Sequence, residues 1–422
     1  MDARVVASRR SLLRFALASP LWLAANPVDA LEFLVTGLAD AGTGDDPRAF
    51  IERAREAQNV FDFEPVARQN LLPPHWTFLS QGVHDEFTLR ANREAFGGVK
   101  LLPRRLVDVR DLSLSTEVLG ESLSAPIVLA PCGSQRAFHP DAELAVARAA
   151  KRRDHLQILS TGSSTELVDV AAARGAPLWF QLYTSRFWPF TRWQLREAEE
   201  AGCSAVVVTV DTFAGLQGNR DRIRAFRRPD NPSCQGCHEG VARFQRGLRE
   251  TLRFGDAVGL DLGDAFLDRS LLDWEYVDRI RDGTSMKVLL KGITSPEDAR
   301  LCVEHGMDGL IVSNHGGRAE DSGLATIEAL PAVVAAVDGR IPVLVDSGFR
   351  RGPDVYKALA LGASAVCVGR PYLWGLAAFG QEGVEAVLRI LREELSTIMR
   401  QMGTPKIADV TRASVRLPGE PL

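Results

Sequence analysis

The run Gly309-Leu310-Ile311-Val312-Ser313-Asn314-His315-Gly316-Gly317-Arg318 carries the most structural information in the chain. Its first four residues are apolar, two of them β-branched, and read as a strand buried on both faces. The strand gives way to a histidine, two glycines and an arginine, so a base and a fixed cation stand together at one mouth of a sheet. That pair suits the oxidation of a 2-hydroxy acid. A base takes the hydroxyl proton, and a guanidinium fork holds the carboxylate by two parallel hydrogen bonds. The plainer reading of the same residues is a packed histidine and a surface arginine after a β-turn.

Seven further apolar runs repeat the pattern, at 126–131, 156–161, 178–183, 205–211, 286–292, 341–346 and 365–370, with the quoted strand spanning 309–314. Helical patterns fall between them at 141–152, 192–201, 296–305 and 353–361. Continuous apolar strands alternating with helices predict a parallel sheet covered on both faces, and eight such units predict a (β/α)8 TIM barrel. An open doubly wound sheet is the rival, weakened because no Gly-x-Gly-x-x-Gly follows an early strand. Polar residues gather at the carboxyl ends of the runs: Ser160, Gln181, Tyr183, Thr209, Asp211, Lys291, Ser313, His315, Asp346, Gly369 and Arg370. Barrel active sites lie at that face. Residues 31–125 read as a helical lead-in to a barrel at 126–422, and a long Arg-, Gly- and Pro-rich loop follows the fourth strand, from about 212 to 273.

The composition is that of an ordinary soluble globular protein: 422 residues, 45% hydrophobic, 25% charged, formal net charge −4. This balance argues against nucleic-acid binding, and no apolar run is long enough to span a membrane. Ser8-Arg9-Arg10-Ser11-Leu12-Leu13-Arg14, an apolar stretch at 15–25 and Val28-Asp29-Ala30 resemble a twin-arginine signal peptide over residues 1–30, which predicts a periplasmic enzyme exported folded. A basic first helix on a cytoplasmic protein is the alternative. Of the six cysteines, Cys132, Cys203, Cys302 and Cys367 stand singly in apolar contexts and read as buried thiols. Cys234-Gln235-Gly236-Cys237-His238 has the spacing of haem c attachment, and equally allows a disulfide, metal binding with His238, or free thiols.

Nine motifs in this order resemble the FMN-dependent 2-hydroxy-acid oxidases and dehydrogenases, a family that includes glycolate oxidase, lactate oxidase, mandelate dehydrogenase and flavocytochrome b2. They are Leu102-Pro103-Arg104, Ala130-Pro131, His139-Pro140, Phe180-Gln181-Leu182-Tyr183, Thr209-Val210-Asp211-Thr212, Leu290-Lys291-Gly292, Ser313-Asn314-His315-Gly316-Gly317-Arg318, Asp346-Ser347-Gly348-Phe349-Arg350-Arg351-Gly352 and Val368-Gly369-Arg370-Pro371. The resemblance runs from about residue 61 to 409, within one domain of about 55–415. It implies His315 as the base, with hydride or its equivalent passing to flavin N5, Asp211 as its partner, and Tyr183 on the reacting oxygen. Arg318 and a loop arginine, Arg220, would meet the substrate carboxylate. Lys291 would sit beside flavin N1 and O2, where negative charge develops. Pro131, Cys132 and Gly133 would lie against the flavin, and Ser160, Gln181, Thr209 and Ser313 would bond its ring or ribityl chain. Asp346 would bind ribityl hydroxyls, within the cofactor-binding run Ser347, Gly348 and Phe349. Arg350, Gly369 and Arg370 would hold the phosphate.

Three positions depart from the glycolate-oxidase pattern. Phe78 stands where a tyrosine commonly contacts the carboxylate, Gly162 where a tryptophan covers the pocket, and Gly133 where many oxidases carry alanine. The first removes one carboxylate donor and predicts weaker affinity for small hydroxy acids, by roughly 1.5–3 kcal/mol; the second opens space and predicts a substrate larger than glycolate. The third favours a dehydrogenase, with a quinone or cytochrome as electron acceptor and oxygen as the alternative. Family likeness suggests a tetramer. The rival readings are an FMN-barrel isomerase or monooxygenase, and a degenerate barrel that binds FMN or another ligand without turnover.

Overall fold

The computed structural model describes residues 51–185, 187–212 and 272–420. The signal-like residues 1–30, Arg220 and the Cys234, Cys237, His238 motif lie outside the described residues, as does most of the long loop.

The lead-in carries three eight-residue helices, Phe63–Asn70, Pro73–Ser80 and Phe87–Glu94. It also carries three short strands that the sequence reading did not anticipate, β1 (Lys100–Leu101), β2 (Thr116–Val118) and β3 (Glu121–Leu123). β2 and β3 form an antiparallel hairpin turned by Leu119 and Gly120, both at positive φ. Val118 and Leu123 pack with barrel-interior residues such as Leu156 and Trp179.

The barrel strands follow in order: β4 (Ile127–Leu129), β5 (Ile158–Ser160), β6 (Leu178–Leu182), β7 (Cys203–Thr209), β8 (Lys287–Ile293), β9 (Gly309–Val312), β10 (Val343–Val345) and β11 (Ala365–Val368). Each falls on one of the eight apolar runs. They form one parallel sheet in the spatial order β4-β11-β10-β9-β8-β7-β6-β5. A parallel bridge between Leu129 and Gln157 joins its two ends, with Leu129 N–H donating to Leu156 O at 2.9 Å. The doubly wound alternative is thereby excluded, because an open sheet keeps two free edges.

Side chains split with the period-two rule. Val128, Ile158, Trp179, Val207, Leu289, Ile311 and Leu344 fill the barrel interior. Their neighbours Leu129, Leu159, Phe180, Val208, Leu290, Leu310 and Val345 face outward and join the helix layer in the larger core. The four helical patterns appear at Ala142–Arg153, Trp188–Glu200, Pro296–Glu304 and Gly352–Ala360. Strand β12 (Val415–Arg416) pairs antiparallel with β1 and ties the chain's end to the lead-in.

Candidate active site

Three side chains meet just past the carboxyl ends of three strands. Tyr183 follows β6, Asp211 follows β7 and His315 follows β9. Asp211 Oδ1 lies 2.9 Å from His315 Nδ1, and the Tyr183 hydroxyl lies 3.3 Å from Nε2. A carboxylate accepts from Nδ1–H, which leaves Nε2 as the basic nitrogen. Burial raises the Asp211 carboxyl, but the His315 charge, their hydrogen bond and Lys291 outweigh it and hold the pKa below the ordinary value. Asp211 Oδ2 is buried with no hydrogen-bond partner among the described residues, so the carboxylate is committed to the imidazole.

Lys291, one residue before the bulge in β8, donates to Ser313 Oγ at 2.8 Å and pairs with Asp346 Oδ2 at 3.1 Å. Burial opposes its charge, yet Asp346 and Asp211 prevail and its pKa is raised. It stays an ammonium in the interior. Asp346 Oδ1 also accepts from Ser347 Oγ at 2.7 Å. Ser160 Oγ donates to Gln181 Oε1 at 3.0 Å, and Gln181 Nε2 donates to Thr209 Oγ1 at 2.9 Å.

Three guanidiniums gather here, Arg350 buried and Arg318 and Arg370 half-buried. Arg318 lies over the Phe78 ring at 4.6 Å and donates to Phe78 O. Arg370 donates to Leu79 O at 3.0 Å, Gln81 O at 3.1 Å and Gly316 O at 2.9 Å. Arg350 lies over the Trp374 ring at 4.7 Å. Burial, then the charges of Arg370 and Arg93, push Arg350 down to about 9, and burial with Arg318 pushes Arg370 down to about 10. Among the described residues no carboxylate forms an ion pair with either. Glu64 and Asp354 near Arg350, and Glu86 and Glu64 near Arg370, offset burial only in part, and cations lacking a direct ion pair are costly, so the set favours an incoming anion. The donor set fits FMN: guanidiniums for a phosphate, Asp346 with Ser347 for ribityl hydroxyls, and Lys291 for an electron-rich ring edge.

One cavity collects these groups. Its wall includes Pro131, Cys132, Gly133, Ser160, Tyr183, Lys291, His315 and Arg318. It also includes Phe78, Asp346, Ser347, Gly348, Phe349, Arg350, Gly369 and Arg370. Gln181, Thr209 and Ser313 are absent from the wall and stand one layer behind it, bonded to Ser160, to Gln181 and to Lys291 respectively. Gly133 and Gly162 touch through backbone. Ser134 N–H donates to Gly162 O at 2.8 Å, and a Cβ on Gly133 would stand 2.8 Å from that oxygen. The fully buried Glu143 locks the two loops together, accepting from Gln135 N at 3.2 Å, Ser164 N at 2.9 Å and Thr165 Oγ1 at 2.9 Å. Sequence reasoning missed Glu143, and it missed Phe138, which lines the cavity and stacks on Phe78 at 6.3 Å. Glu143 sits in an alanine-rich helix and reads as a solvated charge. The Phe138 signal, an aromatic just before His139-Pro140, was available.

The family model described as FMN-dependent dehydrogenase matches residues 67–417. A peroxisomal (S)-2-hydroxyacid oxidase of Arabidopsis thaliana is 39% identical over 364 residues, covering 86% of this chain and 98% of its own. Glycolate oxidase 1 of Oryza sativa subsp. indica is 39% identical over 360 residues, covering 85% and 96%. A crystal structure of mandelate oxidase with (S)-2-phenylpropionate superposes with a TM-score of 0.75 at 38% identity, covering 86% of this chain and 99% of that one. The closed barrel, the His315 site and these matches agree, and the chain belongs to the FMN-dependent dehydrogenase family, whose members are flavin oxidoreductases acting on CH–OH donors.

Proposed function

We propose that the enzyme oxidises an L-2-hydroxy acid to the 2-oxo acid. The observation that carries this reading is the chain Asp211–His315–Tyr183, with separations of 2.9 and 3.3 Å, opening on a cavity that also holds Arg318. Bound FMN supplies the acceptor for the two electrons of the C–H bond. His315 Nε2 takes the hydroxyl proton, and Asp211 stabilises the imidazolium as it forms. Tyr183 hydrogen-bonds the oxygen as it becomes a carbonyl, and Arg318 holds the carboxylate so that the carbon is presented in one orientation. Lys291 would stand beside the part of the bound cofactor where negative charge grows, and its retained charge would favour that step. Arg350 and Arg370 serve the phosphate, joined by the backbone at Gly369.

The substrate we propose is larger than glycolate. Gly162 presents no side chain at the cavity wall, where a Cβ would fit in ordinary contact, 3.6 Å from Ser160 Oγ and 3.7 Å from Gly133 Cα. Phe78 and Phe138 add an aromatic surface. The acceptor is less constrained. Gly133 favours a quinone or cytochrome, and the oxidase names of the relatives favour oxygen; reoxidation of the reduced enzyme by oxygen against a quinone separates the two. Residues 8–30 support export to the periplasm.

The test is anaerobic addition of L-lactate, L-mandelate, glycolate and longer 2-hydroxy acids to the FMN-loaded enzyme. The flavin bands should bleach, fastest with a substrate bulkier than glycolate. His315→Gln should keep FMN and lose bleaching. Retained bleaching in that variant removes His315 as the base, and glycolate as the best substrate removes the size argument.

A further inference from the structure

We propose that Asn92, from the lead-in helix Phe87–Glu94 and outside the barrel, is a positioning residue for His315. The inference rests on the base role just proposed.

The segment after β9 is conformationally demanding. His315, Gly316 and Gly317 are successive left-handed residues, with φ of 57°, 69° and 73°. A histidine is strained there, so the surroundings must hold it. His315 N–H donates to the nearby Ser313 Oγ at 3.1 Å, and Gly316 N–H donates to Ser347 Oγ, on the loop after β10, at 3.0 Å. The third support comes from Asn314, whose Oδ1 accepts Gly317 N–H at 3.2 Å.

Asn314 is oriented in turn by Asn92. Their side-chain amides pair reciprocally: Asn92 Nδ2 donates to Asn314 Oδ1 at 2.9 Å, and Asn314 Nδ2 donates to Asn92 Oδ1 at 2.9 Å. Asn314 Nδ2 also donates to Leu324 O at 3.0 Å, and Asn92 Oδ1 accepts Thr326 N–H at 3.3 Å. Both side chains are buried, at 2% exposure. A reciprocally bonded buried amide pair fixes one arrangement, because turning either amide over breaks at least two bonds at once. Asn92 also reaches the β10 loop through its backbone. A Cβ on Gly348 would stand 1.9 Å from Asn92 O, so the helix lies directly against the loop that follows Asp346. One helix residue thus touches both the base-bearing loop and the cofactor loop.

The experiment is single-turnover anaerobic reduction of bound flavin by saturating substrate in Asn92→Ala and Asn92→Asp, with FMN affinity read from flavin fluorescence quenching. Asn92→Asp keeps the side-chain volume and the two bonds that Oδ1 accepts, but sets an acceptor oxygen against Asn314 Oδ1, so the orienting contact becomes repulsive. The rate is expressed per bound flavin, so a smaller folded fraction does not move it. The reduction rate should fall about tenfold to a hundredfold, the loss that follows a misplacement of roughly 1 Å, while FMN affinity changes less than about threefold and substrate affinity falls less than the rate. A rate within about twofold of wild type in both variants overturns the proposal. So does loss of FMN by both variants at saturating FMN, which assigns the pair to cavity scaffolding. His315→Gln run beside them separates the two claims. If it abolishes reduction while the Asn92 variants leave it intact, the positioning claim alone fails. If it leaves reduction intact, the base assignment fails first.

Discussion

Replacing Asp211 by asparagine isolates what the carboxylate does for His315. The geometry sets the magnitude. Asp211 Oδ1 stands 2.9 Å from Nδ1, its side chain is 9% exposed, and Oδ2 has no hydrogen-bond partner among the described residues. The interaction is therefore one well-formed, charge-assisted bond in a largely buried site, worth about 1.5–3 kcal/mol. That stabilisation is fully developed only when the imidazole carries its second proton, so its loss appears in the rate, roughly tenfold to 150-fold. The introduced amide can also turn its NH2 toward Nδ1. Nε2 would then carry the proton in the neutral ring and be unable to act as base, and the loss would approach about 10⁴, as in the corresponding exchange in a serine-protease triad. Either orientation leaves the flavin bound. The assay is stopped-flow bleaching at saturating substrate, normalised to bound FMN. A loss smaller than about threefold refutes the argument, because a bond of this length in a buried site has no route to inertness. Stability supplies an independent check. The Asp211 pKa is lowered in the fold, so its contribution is complete above the ordinary carboxylate range and is lost as pH falls through the depressed value. The Asp211→Asn variant should accordingly be less stable than wild type at neutral pH and lose that deficit in acid, measured as melting temperature against pH.

Four further outcomes follow from the same geometry. Arg350→Met removes a buried cation without a carboxylate ion pair, so the FMN-free protein should gain about 1 kcal/mol or more and melt higher, while the stabilisation added by FMN shrinks; scanning calorimetry with and without FMN reads both. Gly133→Ala places a Cβ 2.8 Å from Gly162 O, an overpacking cost of about 1–3 kcal/mol that should push Gly162 toward the cavity and lower the rate with bulky substrates more than with small ones; an unchanged melting temperature and substrate ranking would contradict it. Phe78→Tyr offers a hydroxyl beside Arg318 and should lower KM for small hydroxy acids roughly tenfold to a hundredfold, read from steady-state kinetics. Changing Arg9 and Arg10 to lysine should retain the protein in the cytoplasm, read by fractionation; unaltered export removes the twin-arginine reading.

The barrel was legible because a strand buried on both faces is apolar nearly throughout, and each of the eight such runs overlaps a strand. Several were read too long, since the polar residues at their carboxyl ends belong to loops: β9 stops at Val312 and β10 at Val345, whereas Ser160, Gln181, Thr209 and Lys291 do lie in strands. The β2–β3 hairpin was not legible. Its strands have three residues each, and its turn puts Leu119 at φ 55°, where glycine or asparagine is the usual signal. The site divides in the same way. Asp211, His315 and Arg318 announce themselves as chemistry at strand ends. Asn92 does not. It lies in Arg90-Ala91-Asn92-Arg93, which reads as a solvated helix face, and its partner Asn314 is 222 residues away. Local periodicity carries no information about a pairing at that distance.

The lead-in also explains how cations are stored in a buried site. The helix Pro73–Ser80 ends beside the cavity, and its terminal region presents Phe78 O to Arg318, Leu79 O to Arg370 and Gln81 O to both. Carbonyls at a helix C-terminus lack intrahelical donors and sit at the negative end of the helix dipole. They therefore partly neutralise guanidiniums without carrying a formal charge. A carboxylate in that place would pair with Arg318 and compete with the substrate for it. Dipolar carbonyls hold the arginine in place and leave its charge free for an incoming anion. The barrel supplies the reacting groups, and the segment before it sets the electrostatic conditions under which two of them can bind anions.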